Sequence, residues 1–339
     1  DIALHHDFSP HETQQRETQQ QDIADCLKPL VHKRDGKNLL ISGSPGIGKT
    51  AAIRWVFREM DEQGLDEQVT HIYVNCWKKD TPYKIALDIC DQIGLKFTHN
   101  KDTSQLFEDI MRKLNKTSAV ICFDECDKVQ DHQVFYTILN DLYRKTLIFI
   151  TNEEEWLALL DKRVASRLLA ELVEFKPYTY EETREIIQQR IDYAFVPGVL
   201  QDDVVSMIID KTYDSRDIRT GLYLLKESGT LAEQRASRSI TTEHAEKAIA
   251  KLVDFHIKST ATLDPDETLI LDVVKSHTGE TTGEIYTAYQ KKGGSQAYSS
   301  FKRKVKRLEK NKFISVHDVN EGERGRTSRL YYGRTHDAV

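Results

Sequence analysis

Apolar residues fall along this chain in two periods. Near the N-terminus a Gln- and Glu-rich stretch (residues 11–21) gives way to Ile23, Leu27 and Leu30, spaced as one stripe of a helix. Short, nearly unbroken apolar runs follow at 38–42, 119–123 and 147–150, the pattern of strands buried on both faces. Residues 68–75 alternate and predict a further strand, and 172–175 predicts a fifth. Helical periods lie between them, at 51–58, 83–93 and 104–114, with Pro82 at the first-turn position of the second. Strands alternating with helices predict a parallel sheet flanked by helices. From 181 to 256 the pattern is helical throughout: 181–193, opened by a capping box at Thr179 and Glu182, then 202–211, 218–233 and 242–256. A polar linker is expected at 258–263. Beyond it, Asp264-Pro265-Asp266-Glu267 and Thr281 with Glu284 start two helices, with Leu269, Ile270, Val273, Val274, Ile285 and Tyr289 inward. A third helix over 295–310 carries Tyr298, Phe301, Val305 and Leu308 on one face and Ser299, Lys302, Arg303, Lys306 and Arg307 on the other. Strands at 313–316 and 328–332 enclose Gly322-Glu323-Arg324-Gly325-Arg326-Thr327, so three helices and a basic hairpin predict a winged helix. That hairpin places Arg324, Arg326 and Arg329 at its tip. The expected domains are a nucleotide-binding base over 1–176, a helical lid over 177–258 and the winged helix over 264–339.

Between the first strand and the helix after it lies Gly43-Ser44-Pro45-Gly46-Ile47-Gly48-Lys49-Thr50. Strand, glycine loop and helix N-terminus make an anion cradle, because backbone N–H groups can turn inward where no Cβ intervenes. Pro45, Gly46, Ile47 and Gly48 would wrap a phosphate chain. Lys49 would reach the β- and γ-phosphates of ATP or the terminal phosphate of ADP, and the Thr50 hydroxyl would hold Mg²⁺. The strand at 119–123 ends in Asp124-Glu125. Asp124 would take the Mg²⁺ waters and Glu125 would polarise the attacking water. Asn152, at the end of the next strand, is placed to orient that water. Arg219 stands at a helix start, where the helix dipole disfavours a cation, so it asks for an anion nearby.

Hydrophobic residues make up 39% and charged residues 30%, no apolar run reaches 18, and the start is not a signal peptide, so a membrane partner is not expected. The first residue is Asp1 rather than Met, which reads as a trimmed or missing start. The five cysteines contain no C-x-x-C pair and fit buried, reduced thiols of a cytoplasmic protein. The net charge of −6 hides an asymmetry. Residues 291–334 hold 13 Lys or Arg against 4 Asp or Glu, leaving −15 on the rest. A basic C-terminal module on an acidic body points to a polyanion partner.

Several further segments carry a resemblance: Tyr73-Val74-Asn75-Cys76 with Asp80-Thr81-Pro82-Tyr83, Phe175-Lys176-Pro177-Tyr178, Ala194-Phe195-Val196-Pro197-Gly198-Val199-Leu200, and the hairpin at 322–327. With the phosphate loop, the chain resembles the archaeal origin-recognition and helicase-loading initiators, AAA+ ATPases related to the origin recognition complex. The resemblance implies that Asn152 is the first sensor and Arg219 the second. It implies that Arg167 (ahead of Arg163) is a finger reaching a neighbour's nucleotide, and that Pro10 and Arg16 lie beside the adenine. It makes 78–84, with Lys78, Lys79, Thr81 and Lys84, an insertion that touches DNA. The second-sensor motif departs from the usual Gly-Asp-Ala-Arg, reading Arg216-Asp217-Ile218-Arg219, and the stretch after Glu125 is short. The implied function is an ATP-dependent switch with slow hydrolysis. It would bind origin duplex DNA, assemble with paralogous or identical protomers, help load the replicative helicase, and sit in the cytoplasm on the nucleoid. Two other readings share these features: a loader or transposition-type regulator without sequence preference, and a protein-binding AAA+ module.

Overall fold

The computed structural model describes residues 2–5, 15–153, 155–260, 263–310, 313–320 and 326–332; of residues 2, 253–260, 310, 317–320 and 326–327 it describes the backbone. Contacts divide the chain into two units, Asp1–Ala248 and Ile249–Val339.

The first unit opens with α1 (Glu17–Val31), β1 (Leu39–Ser42), α2 (Lys49–Glu62), β2 (Val69–Asn75), α3 (Pro82–Gln92) and α4 (Thr103–Leu114). It continues with β3 (Ser118–Asp124), α5 (Gln133–Asp141), β4 (Lys145–Thr151), α6 (Trp156–Leu159), α7 (Lys162–Leu168) and β5 (Glu171–Glu174). All five strands pair in parallel, in the order β2-β3-β4-β1-β5. The inner strands β1, β3 and β4 are buried on both sides, and alternation sends their residues to two separate cores. Leu40, Ile121, Phe123, Leu147 and Phe149 meet α3, α4, α5 and α7 on one face. Leu39, Ile41, Val120, Cys122, Ile148 and Ile150 meet α1 and α2 on the other. The expected parallel sheet with flanking helices is therefore present. All five cysteines are free and buried, as expected. Helix α5 was not foreseen. It is nine residues long, and the polar run before it supplies no side-chain cap at His132.

Three helices follow in the same unit, α8 (Tyr180–Ala194), α9 (Asp202–Ser215) and α10 (Ile218–Gln234), and a fourth, α11 (Thr242–Thr260), begins there and carries the chain past Ala248. The expected capping box holds α8, with Thr179 and Glu182 each accepting the other's backbone N–H. The α9–α10 turn is tight. Arg216 closes α9 in a left-handed conformation (φ +52°), and Asp217 caps α10 by accepting the Arg219 N–H. The left-handed backbone explains why a glycine would suit position 216. Helix α11 runs on to Thr260, through part of the stretch expected to be a linker. There Thr242 to Thr260 continue a single helical register, so local polarity did not break it.

The second unit contains α12 (Pro265–Ser276), α13 (Thr282–Lys291), α14 (Tyr298–Lys310), β6 (Ile314–Asn320) and β7 (Arg326–Tyr332). Capping boxes start α12 at Asp264 and α13 at Thr281. The core holds most of the expected stripe, Ile270, Val273, Val274, Ile285, Tyr289, Phe301, Val305 and Leu308, closed by Ile314 and Leu330; Leu269 is only partly buried against it and Tyr298, at the start of α14, is exposed. Strands β6 and β7 pair antiparallel from Ile314↔Tyr332 to Asn320↔Arg326, several residues further than the sequence pattern implied. Cross-strand pairing, rather than apolar content, extends them.

Candidate nucleotide-binding site

The ends of β1, β3 and β4 and the start of α2 converge on a cleft of about 810 Å³ that the α8 and α10 helices roof. Its phosphate loop turns through three glycines with positive φ: Gly43 at +146°, Gly46 at +73° and Gly48 at +93°. All three also leave no room for a side chain. A Cβ on Gly43 would stand 2.4 Å from the Phe175 backbone O, one on Gly46 1.9 Å from Asp217 Oδ1, and one on Gly48 2.4 Å from the Tyr178 hydroxyl. The α10 turn is thus seated directly on the loop, and the Ile218 N–H donates to Gly46 O at 3.2 Å.

Lys49 opens α2 and is only 6% exposed. Its ammonium donates to Gly43 O (2.7 Å), Ser44 O (2.8 Å) and Asn152 Oδ1 (2.8 Å). Burial pushes its pKa down to about 8, partly offset by the negative charge of Asp124. This is a desolvated cation aimed at a cradle of backbone amides, which fits a phosphate chain. Beside it the Thr50 hydroxyl donates to Asp124 Oδ2 at 2.6 Å. One hydroxyl and one carboxylate, with phosphate oxygens completing the set, fit Mg²⁺. Among the described residues no group of three or more His, Cys, Asp or Glu could hold a metal ion.

Glu125 follows Asp124 in a left-handed backbone conformation (φ +54°), and its N–H donates to Asp124 Oδ1 at 2.9 Å. Burial, then the neighbouring charges of Asp124 and Asp127, hold its carboxyl above the usual range. That makes it a stronger proton acceptor than an exposed glutamate. Asp127, which the sequence reading passed over, ties this loop to the end of β4 by accepting from Thr151 Oγ1 at 3.0 Å.

Arg219 lines the cleft, and its nearby anion belongs to the chain itself: Nε donates to Asp217 Oδ1 at 2.9 Å and Nη2 to Oδ2 at 2.7 Å. Arg16 also lines the cleft and is only 6% exposed. Its Nη2 donates to Ile47 O (2.9 Å) and Lys176 O (2.7 Å), and its guanidinium lies 3.9 Å from the Tyr178 ring centre. It clamps the outer side of the phosphate loop. Pro10 lies outside the described residues. Tyr178, just ahead of α8, was legible only as part of a family segment; its closeness to Gly48 is tertiary.

Arg167 is not in this cleft. On α7, it donates to Asn140 Oδ1 and lies over Tyr136 at 4.7 Å, while Arg163 pairs with Asp161. In the insertion, Thr81 caps α3, Lys79 pairs with Asp88 at 3.1 Å and Lys84 with Asp80 at 2.8 Å. Lys78 is exposed and lines the cleft rim beside Trp77, which is 67% exposed. In the second unit, Ser299, Lys302 and Arg303 are exposed on one face of α14. Arg329 is not at the hairpin tip: it pairs with His317 in the middle of β7, because the strands extend further than expected, and its guanidinium donates to Gly279 O at 3.0 Å. Arg324 lies outside the described residues, as does the side chain of Arg326.

The chain is similar to known proteins over most of its length. Residues 32–155 match an AAA domain, and residues 184–250 match the Cdc6 AAA+ ATPase-type lid domain. The chain is 31% identical to ORC1-type DNA replication protein 2 of Methanothermobacter thermautotrophicus, over 95% of this chain and 88% of that protein. It is 29% identical to ORC1-type DNA replication protein 1 of Sulfurisphaera tokodaii, over 96% and 87%. Among solved structures it resembles the Aeropyrum pernix ORC1 protein in complex with DNA, with a TM-score of 0.71, 27% identity and coverage of 98% and 93%.

Proposed function

Because the chain belongs to the archaeal family of ORC1-type DNA replication proteins, which are AAA+ ATPases, we propose that it is a Mg·ATP-dependent switch that binds origin duplex DNA and helps load the replicative helicase. The observation that carries this is the convergence of Lys49, Thr50, Asp124, Glu125, Asn152 and Arg219 on one cleft, from both the sheet and the lid.

The chain's own groups divide the work. The Gly43–Thr50 backbone and Lys49 bind the phosphate chain. Thr50 and Asp124 would hold Mg²⁺, which when bound would neutralise phosphate charge. Glu125 would accept a proton from, or polarise, the attacking water, and Asn152 would orient it while also holding Lys49. Arg219 would exchange Asp217 for the γ-phosphate, so that the α10 turn senses the nucleotide. Arg16 would keep the loop's outer wall closed, and the N-terminal segment with Pro10 and Arg16 would serve the base of the nucleotide. Hydrolysis would be slow and would reset the switch. Arg167 would complete the site of a neighbouring protomer, paralogous or identical.

The second unit reads as a winged helix whose α14 enters the major groove and whose hairpin lies beside the minor groove. Ser299, Lys302, Arg303, Arg324, Arg326 and Arg329 would meet DNA there, and Lys78, Lys79, Thr81 and Lys84 would make a separate contact. The ion pairs of Lys79 and Lys84 are exposed and cheap to exchange for phosphate. The domains proposed are 1–176, 177–258 and 264–339, acting in the cytoplasm on the nucleoid. No described helix is long and apolar enough to cross a membrane.

Fluorescence anisotropy with a labelled duplex, at two salt concentrations and with and without ATP, tests this reading. Binding should weaken steeply with salt through counterion release. Arg326→Ala should cost about 1–3 kcal/mol, and Lys302→Ala should lower the salt slope by about one unit. Binding by both variants equal to the parent's, with no salt slope, would overturn the DNA-binding reading.

A further inference from the structure

Asp124 is 4% exposed, and its carboxylate carries three donors. Oδ1 accepts the Glu125 N–H, while Oδ2 accepts both the Thr50 hydroxyl at 2.6 Å and the Tyr73 phenol at 2.5 Å. The first two donors belong to the phosphate-loop machinery already described. Tyr73 does not, and its placement is particular. On the neighbouring strand, Tyr73 pairs with Cys122 and Asn75 with Asp124, so Tyr73 and Asp124 share a sheet face one diagonal step apart. The ring itself is held. It packs against the apolar core on the α1–α2 side, and the Arg54 guanidinium lies over it at 5.2 Å.

We propose that Tyr73 is a positioning residue for the metal: its phenol fixes the Asp124 carboxylate in the orientation that meets Thr50. This rests on the Mg-nucleotide reading above. A carboxylate's terminal torsion is soft and roughly two-fold, and its other two donors, the Thr50 hydroxyl and the Glu125 N–H, both belong to the phosphate-loop side. A third donor, from a packed ring on the neighbouring strand, restrains the carboxylate from the opposite element. The ligand is then placed before the metal arrives, and groups that orient a ligand in this way typically govern metal affinity by about 10–100-fold.

The test is Tyr73→Phe in the full chain, which keeps the ring and its packing and deletes one hydroxyl. Mn²⁺ serves as the probe, read by the electron paramagnetic resonance of free ion during titration with saturating ADP. The expected result is about tenfold or more weaker Mn²⁺ binding, with metal-free ADP affinity within about twofold of the parent and an unchanged melting temperature. In an Asp124→Asn background the Tyr73→Phe change should add nothing further, because the group it positions has gone. Unchanged Mn²⁺ affinity in Tyr73→Phe overturns the proposal. So does an equal loss of ADP affinity with and without metal, or a loss that persists undiminished beside Asp124→Asn, since a purely structural tyrosine would give either. If the parent itself bound no Mn²⁺ with ADP, the nucleotide reading would fall and take this inference with it.

Discussion

Replacing Lys49 with methionine should stabilise the ligand-free protein while destroying nucleotide binding. The ammonium is 6% exposed, and burial lowers its pKa from the ordinary 10.5 to about 8. One pKa unit corresponds to about 1.4 kcal/mol, so the charged form costs roughly 3 kcal/mol as a ceiling. The sign follows from proton counting. Between about pH 8 and 10.5 the unfolded chain binds more protons than the folded one, so the folded state gains stability as pH rises through that window. Below pH 8 the whole cost is present. Methionine fills similar space without the charge, but forfeits the bonds to Gly43, Ser44 and Asn152. A net gain of about 1–2 kcal/mol is expected, or roughly 2–8 °C in melting temperature for a unit of this size. The assay is thermal unfolding of parent and Lys49→Met at pH 7 and pH 10, with calorimetric ATP titration alongside. The advantage of the variant should shrink at the higher pH, and ATP binding should be lost because amides alone hold a polyphosphate weakly. A variant that melts below the parent at pH 7, or a difference between the two that is flat with pH, would refute the reasoning that this lysine is held against its own solvation. Tight ATP binding by the variant would refute the role of its charge.

Glu125→Gln should bind ATP as the parent does and lose turnover by about 10²-fold or more, because the amide keeps the shape but cannot accept the proton; phosphate release at the parent rate would exclude Glu125 as the group that activates water. Arg167→Ala should leave ATP binding of the dilute protein unchanged, since Arg167 lies on α7 beside Tyr136 and Asn140 rather than in its own cleft. Its turnover should drop by about 10³-fold only where protomers meet on DNA. A defect as large at high dilution would place its action within its own subunit.

Much of the site was legible locally because its chemistry is local. The loop from Gly43 to Thr50 needs glycines where the backbone turns and a lysine and threonine at fixed steps after them, and a chain segment can encode all of that. The strand that ends in Asp124-Glu125 announced itself the same way, as apolar residues running into two carboxylates. Capping boxes at Thr179, Asp264 and Thr281 gave helix starts that the structure reproduces, since each is a contact between residues three apart. Apolar periods likewise assigned the core stripes of α12, α13 and α14, because burial of one helix face is a repeat along the chain.

Contacts between segments distant in sequence had to wait for the fold. The strand order β2-β3-β4-β1-β5 brings Tyr73 to Asp124, 51 residues away, and Asn152 to Lys49, 103 away. No spacing rule foretells either, because each depends on which strands become neighbours. The same holds for Arg16, whose neighbours in sequence are polar. Tertiary packing instead buries it between Ile47, Lys176 and Tyr178. The anion that Arg219 required at a helix start was legible as a need, but that Asp217 meets it while resting on Gly46 is decided by how the lid turn closes on the loop. Sequence set the groups that can bind and cut a phosphate chain; only the three-dimensional closure of sheet and lid set which of them touch, and through that contact their charge state and orientation.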